Sequence, residues 1–137
     1  MEISIETEVE APPSDVWYAW VTPEDIASWH FAIEQWHCPA AELDLEVGGK
    51  FNYRMEAKDG SMGFDFAGEF TSITPRKAIH YKLEDNRAVK VEFIETAVGT
   101  RIVETFEAES ENSAEQQRQG WLGILNNFKK HVESKCY

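Results

Sequence analysis

From Ala41 to Ala108 apolar residues recur at every second position, and from Ser113 onward the spacing changes to every third or fourth. A period of two belongs to strands with one buried face, and a period near 3.6 to a helix with one buried stripe. A chain that makes several short strands and then one long amphipathic helix must bury these apolar surfaces against each other. The α+β class follows, with the helix laid across a curved antiparallel sheet.

The elements are readable one by one. Ile3, Ile5, Thr7 and Val9 alternate with Glu2, Ser4, Glu6 and Glu8, a half-buried strand that Pro12-Pro13 ends. Val16, Trp17, Trp20 and Val21 recur at helical spacing. Thr22-Pro23 starts a second short helix, with Asp25 placed to close a capping box and Ile26 and Trp29 on its apolar side. Between Thr22-Pro23 and the next strand, the stretch from Phe31 to Cys38 reads as irregular, with Trp36 as a pocket rim or lid.

The strand rows are Ala41, Leu43, Leu45 and Val47; Phe51, Tyr53 and Met55; Phe64, Phe66 and Phe70; Ile79, Tyr81 and Leu83; Val89, Val91 and Phe93; and Ile102 with Phe106. Gly48-Gly49, Lys58-Asp59-Gly60-Ser61, Asp85-Asn86 and Gly99 mark turns, and Gly68 a bend. With the first strand this makes seven, mostly joined by hairpins. Ser113-Ala114-Glu115-Gln116 is a capping box. Ala114, Gln117, Trp121, Leu125, Phe128 and Val132 then form one stripe, flanked by Ile124. Gly120, at its edge, is expected to give Trp121 or a neighbouring strand room; Gly123 has no evident reason. The whole, residues 1–137, reads as one domain of a length that buries a proper core.

Net charge and segment composition exclude several partners. The net charge is −12 and no run of Lys and Arg interrupts it, so neither nucleic acid nor an anionic membrane surface is an expected partner. No segment approaches the ~18 continuous apolar residues of a membrane span. The N-terminus lacks the basic and apolar regions of a signal peptide, which points to the cytoplasm. The two cysteines, Cys38 and the penultimate Cys136, are not expected to pair.

Few constellations carry chemistry. His30, His37 and Cys38 lie close together but lack the spacing of a zinc site, and no metal or cofactor is expected. Cys38 beside His37 could be an activated thiol, but adjacent residues of an extended segment point opposite ways. Glu104 falls in the row of Ile102 and Phe106. Either it is a buried acid with a raised pKa, or the row is out of phase and Val103 is buried instead. Gln117 is the polar member of the helix stripe: it either meets a ligand or faces water. Tyr53 and Tyr81 offer an apolar ring with a polar tip, and Trp17, Trp20 and Trp121 read as mainly structural.

Taken in order, several segments resemble one family. They are Ala11-Pro12-Pro13 with Val16-Trp17 and Ala19-Trp20, Thr22-Pro23-Glu24, and Val47-Gly48-Gly49-Lys50-Phe51. Further along come Gly68-Glu69-Phe70, Ile79-His80-Tyr81 and Gly120-Trp121 with Asn127-Phe128. The chain resembles the AHSA1-like (activator of Hsp90 ATPase-like) branch of the START-like/SRPBCC helix-grip superfamily. The resemblance implies a seven-stranded sheet gripping the last helix, with two short helices after strand 1. It also implies an apolar cavity between sheet and helix.

The ligand-binding candidates there are Tyr53, Met55, Phe66, Tyr81, Glu104, Gln117 and Trp121. A small hydrophobic molecule is the implied partner, in a monomer or homodimer. Two other readings stand beside it: a chaperone-related interaction module, and a cyclase or hydrolase using Glu104 with a tyrosine.

Overall fold

The computed structural model describes residues 1–135. Strand β1 (Glu2–Val9) is followed by helices α1 (Pro13–Val21) and α2 (Pro23–Trp29). Then come β2 (Trp36–Leu43), β3 (Lys50–Ala57), β4 (Gly63–Thr74), β5 (Ala78–Leu83), β6 (Ala88–Glu95) and β7 (Thr100–Glu107). Helix α3 (Ala114–Ser134) closes the chain. The seven strands form one antiparallel sheet in the order β1-β7-β6-β5-β4-β3-β2. β1 pairs with β7 rather than with its chain neighbour, and every other neighbouring pair is consecutive in sequence.

The sheet curls into a half-barrel whose two edge strands are β1 and β2. α3 packs against β1, α2 against β2, and the two helices touch, closing the open side. Each strand turns its apolar row inward. In β3, Phe51, Tyr53, Met55 and Ala57 are buried while the residues between them are not. The inner rows meet α3 at Leu125, Phe128 and Val132, which are almost wholly inaccessible.

The β1 edge is also guarded in detail. Lys129 Nζ donates to the Glu8 carbonyl, and Glu133 accepts from the backbone N–H of Glu10 at 2.9 Å. These bonds occupy groups that an exposed edge strand would offer to another chain.

Local rules hold at most element ends. Ser113 Oγ accepts from the Gln116 N–H at 3.1 Å and Gln116 Oε1 accepts from the Ser113 N–H at 3.3 Å, the expected capping box. At α2 the expected box does not form: Thr22 makes no side-chain cap bond. Asp25 is instead drawn inward, where Nε2 of His131 lies 2.7 Å away and Lys135 Nζ donates to it at 3.0 Å. An acid with two such partners near the end of α3 gains more from them than from one backbone N–H.

Three other expectations change. β2 begins at Trp36 and ends at Leu43, so Trp36 opens a strand rather than a lid, and Leu45 and Val47 sit exposed in the following loop. The register shift between His37 and Ala40, around Pro39, is what disguised this strand.

Phe64 belongs to β4 but lies at its outer end, exposed, with its ring 5.8 Å from that of Trp36. Gly120 has open space where a Cβ would stand, so it makes room for nothing. The close approach is at Gly123, where a Cβ would come 3.1 Å from the Ala32 carbonyl oxygen. That contact seats the α2–β2 loop on α3. Cys136 lies outside the described residues.

Candidate functional site

The curl of the sheet and the line of α3 leave a wedge, and aromatic side chains almost fill it. Tyr53 of β3 stands opposite Phe66 of β4, and Phe70 opposite Tyr81 of β5. Their rings interlock: Phe51 meets Tyr81 edge-on at 5.0 Å, and Tyr53 lies nearly parallel to Phe66 at 6.3 Å. From above, Trp121 of α3 stacks on Phe106 of β7 at 4.0 Å and meets Phe66 edge-on at 5.8 Å. Trp20 and Trp29 close the wedge from the side, both against Phe128.

The close packing around Gly68 also narrows the wedge. A Cβ there would fall 2.2 Å from the Lys82 carbonyl oxygen and 3.0 Å from the Phe51 ring. β4 can approach β5 only because this position has no side chain.

A cavity of about 30 Å³ remains, room for a water molecule or two. Its lining is mostly aromatic but includes four polar side chains: His30, Tyr53, Tyr81 and Glu104. Glu104 is only 6% exposed, which resolves the phase of β7: Ile102, Glu104 and Phe106 face inward and Val103 does not. Among the described residues no side chain donates a hydrogen bond to its carboxylate and no opposite charge contributes to its pKa. Burial alone raises its pKa from 4.5 to about 8.

The same burial, helped by the charge on Glu104 and then by Tyr53, pushes the Tyr81 phenol well up. Burial also raises Tyr53. His30, at the C-terminal end of α2, has its pKa lowered to about 4 by burial, partly offset by a hydrogen bond to its own backbone. Its Nδ1 lies 3.1 Å from the Met55 sulfur. Near neutral pH the cavity thus holds a neutral imidazole, two phenols and a largely protonated acid.

The sequence-derived candidates separate into three groups. Tyr53, Phe66, Tyr81, Glu104 and Trp121 converge on the cavity. Met55 is buried one step away and reaches it only through His30. Gln117 does not reach it. Its Oε1 accepts from the Glu109 N–H at 2.9 Å, and its Nε2 donates to the carbonyls of Glu109 and Asn112 at 3.1 and 2.8 Å. The amide is spent on ordering the loop before α3, so it is buried but structural.

Sequence reasoning missed His30 as a member of the site. The signal was its spacing: it caps α2 four residues after Ile26, and its N–H bonds the Ile26 carbonyl. Cys38 is buried, and burial raises its thiol to about 11 against a weak bond to the Ala40 carbonyl, so it is not an activated thiolate. Among the described residues no three His, Cys, Asp or Glu side chains gather as metal ligands would.

A larger, open depression of about 700 Å³ lies on β2 to β5; Leu43 and Phe51 border both spaces, but it reaches none of the cavity's polar groups. Lys50 faces Glu69, which faces Lys82, across neighbouring strands there. Such an alternating charge ladder is how a sheet face is kept in water, and the depression brings together no comparable set of buried polar groups.

Comparison with known proteins places this geometry in a family. The family model described as Activator of Hsp90 ATPase homolog 1-like protein matches residues 10–133. The solution structure of an AHSA1-like protein from Aeromonas hydrophila is 45% identical, covers 98% of this chain and 93% of its own, and superposes with a TM-score of 0.93. A protein from Cytophaga hutchinsonii is 42% identical over 97% of this chain and 92% of its own, with a TM-score of 0.84. A protein from Chromobacterium violaceum, at 22% identity, shares the fold over 97% of this chain and 98% of its own, with a TM-score of 0.87. No curated protein matches with comparable significance.

Proposed function

The chain belongs to the Activator of Hsp90 ATPase homolog 1-like family, and from that premise we propose that it binds a small apolar or amphipathic molecule between the sheet and α3. Family and fold support a ligand-binding or Hsp90 ATPase activator-like module in general. The choice between these rests on one observation. Glu104, Tyr81 and Tyr53 are buried side chains that line one aromatic cavity, and among the described residues none of them has a side-chain hydrogen-bond partner, although their oxygens are not wholly sealed off as Asn52 Oδ1 is. Polar groups gathered on one cavity without a partner in the protein are free to hydrogen-bond whatever enters it.

A cavity of about 30 Å³ admits nothing larger than water. A ligand must therefore displace side chains, and Phe66 and Trp121 are the ones placed to yield. Both are part-exposed and they meet edge to face. Trp20, Trp29 and Trp121 all line the cavity, so entry changes indole emission. Titration with 2-phenylethanol is expected to give a saturable change in tryptophan fluorescence. A response that is absent, or that rises linearly without saturating, argues against the reading.

General acid–base catalysis is the second reading, favoured by one observation: an acid that exchanges its proton near pH 8 beside a phenol is suited to it. Glu104→Gln separates the two. Catalysis requires that turnover of an identified substrate be lost while its binding persists; unchanged turnover excludes that role.

No described helix is long and apolar enough to cross a membrane.

A further inference from the structure

The proposal above leaves the ligand's polar end unspecified, and the cavity lining bears on it. We infer that the cavity selects ligands with a cationic head, namely an aryl- or alkyl-ammonium whose nitrogen pairs with Glu104 beneath the aromatic faces. This inference rests on the ligand-binding reading and sharpens it.

Three observations carry it. First, Glu104 is an acid 6% exposed whose carboxylate has no donor and no counter-charge among the described residues, yet it lines the cavity. Second, no lysine or arginine lines that space. The other titratable groups facing Glu104 are His30 from the end of α2, Tyr53 from β3 and Tyr81 from β5. α1, β2, β4 and α3 contribute only apolar and aromatic residues. His30 is neutral, and with Nδ1 turned to the Met55 sulfur it leaves Nε2 as an acceptor. Phenol oxygens accept as well. The lining therefore offers one acid, several acceptors and only neutral O–H and N–H donors, and no positive charge to receive a carboxylate or phosphate.

Third, the remaining wall is mainly aromatic, with Trp20, Trp29, Phe51, Phe66, Phe70 and Trp121 beside four aliphatic side chains, and the face of such a ring attracts a cation and repels an anion. The net charge of −12 adds a field of the same sign. A neutral hydroxyl would gain only neutral hydrogen bonds here. An ammonium would convert Glu104 to its charged form and gain an ion-assisted bond, about twice as strong.

This pairing has a signature that apolar binding lacks. Glu104, with its pKa near 8, carries its proton on about nine-tenths of molecules at pH 7. An ammonium that binds the carboxylate must displace that proton into solvent.

Three probes of matched shape decide the matter: phenethylamine, 2-phenylethanol and phenylacetate, each titrated into the whole protein by calorimetry in buffers of different ionisation enthalpy. Phenethylamine is expected to bind at least tenfold more tightly than 2-phenylethanol. It should release close to one proton at pH 7 and much less at pH 9, where Glu104 is already ionised. Phenylacetate is expected to bind least. Glu104→Gln should remove the proton release and the preference for the amine. The pH 9 comparison gives the same information if that variant does not fold.

Binding of 2-phenylethanol equal to or tighter than that of phenethylamine overturns the cationic head while leaving the cavity reading intact. Tightest binding by phenylacetate does so too. Phenethylamine binding with no proton release overturns the role of Glu104. Binding of none of the three overturns both this inference and the proposed function.

Discussion

Trp121 lies flat on Phe106, ring centroids 4.0 Å apart and planes 7° from parallel. Phe106 is two residues from Glu104 on the same inward face of β7. One stacked pair thus joins α3 to the sheet and roofs the acid. Truncating a buried Trp or Phe costs ~3–5 kcal/mol. Trp121 is only partly buried, so Trp121→Ala should cost less, ~2–3 kcal/mol in urea unfolding. It should also enlarge the cavity. Glu104 would then be better hydrated, and its pKa should fall from about 8 toward 4.5 when followed by side-chain carboxyl NMR.

Stability should depend on pH through two cavity groups of opposite sign. The Glu104 pKa is raised on folding, from 4.5 to about 8, so its contribution is full below 4.5 and is lost as pH rises through 8. The His30 pKa is lowered, from 6.5 to about 4, so its contribution is full above 6.5 and is lost as pH falls through 4. The two slopes oppose each other between 4.5 and 6.5, and from these groups stability there should be nearly flat. Between 6.5 and 8 only Glu104 changes, and about 2 kcal/mol should be lost at ~1.4 kcal/mol per pH unit. In Glu104→Gln that loss should vanish, and stability should instead rise from pH 4 to 6.5. Urea midpoints of both proteins across this range test it.

The link between α2 and the end of α3 should matter to the fold. Asp25 is 3% exposed and lies 2.7 Å from His131 Nε2 and 3.0 Å from Lys135 Nζ. Removing one partner of a hydrogen bond to a charged group costs ~1.5–3 kcal/mol. His131→Ala should lose an amount in that range. A loss under ~0.5 kcal/mol would mean that the bond adds nothing to holding the helices together.

The two glycines inside α3 should respond oppositely. Gly120 has empty space at its Cβ position, so Gly120→Ala should stabilise by up to ~1 kcal/mol. Gly123→Ala places a methyl 3.1 Å from the Ala32 carbonyl oxygen, and the helix gain should be offset by displacement of that loop. Equal gains from both would show that the loop does not rest on Gly123.

What the sequence disclosed follows from how local each signal is. The period-two rows, the turns and the Ser113 box are properties of neighbouring residues, and the seven strands and α3 were legible from them. β2 was shifted because Pro39 and the bulge broke its alternation, and because Leu45 and Val47 continued the pattern into a loop. Asp25 read as a cap because the capping rule looks three residues back, whereas its partners lie more than a hundred residues on. Gln117 read as a ligand contact because the stripe showed where it lay but not the loop carbonyls that occupy it. Tyr53, Phe66, Tyr81 and Trp121 were legible because strand phase and helix phase both aim at one wedge, whereas the phase of β7 at Glu104 stayed open because the row held only Ile102 and Phe106 to set it. His30 was missed because its spacing from Ile26 marks a side of α2 but does not say that this side docks on β2.

The most direct test of the account is a ¹H–¹⁵N and side-chain NMR titration of the protein with 2-phenylethanol, followed at the Trp121 indole and at the Tyr53, Tyr81 and Glu104 signals. The account predicts saturable shifts at these positions, far larger than on the outer face around Lys50, Glu69 and Lys82. Shifts confined to the outer face, or none up to the solubility of the probe, would contradict it.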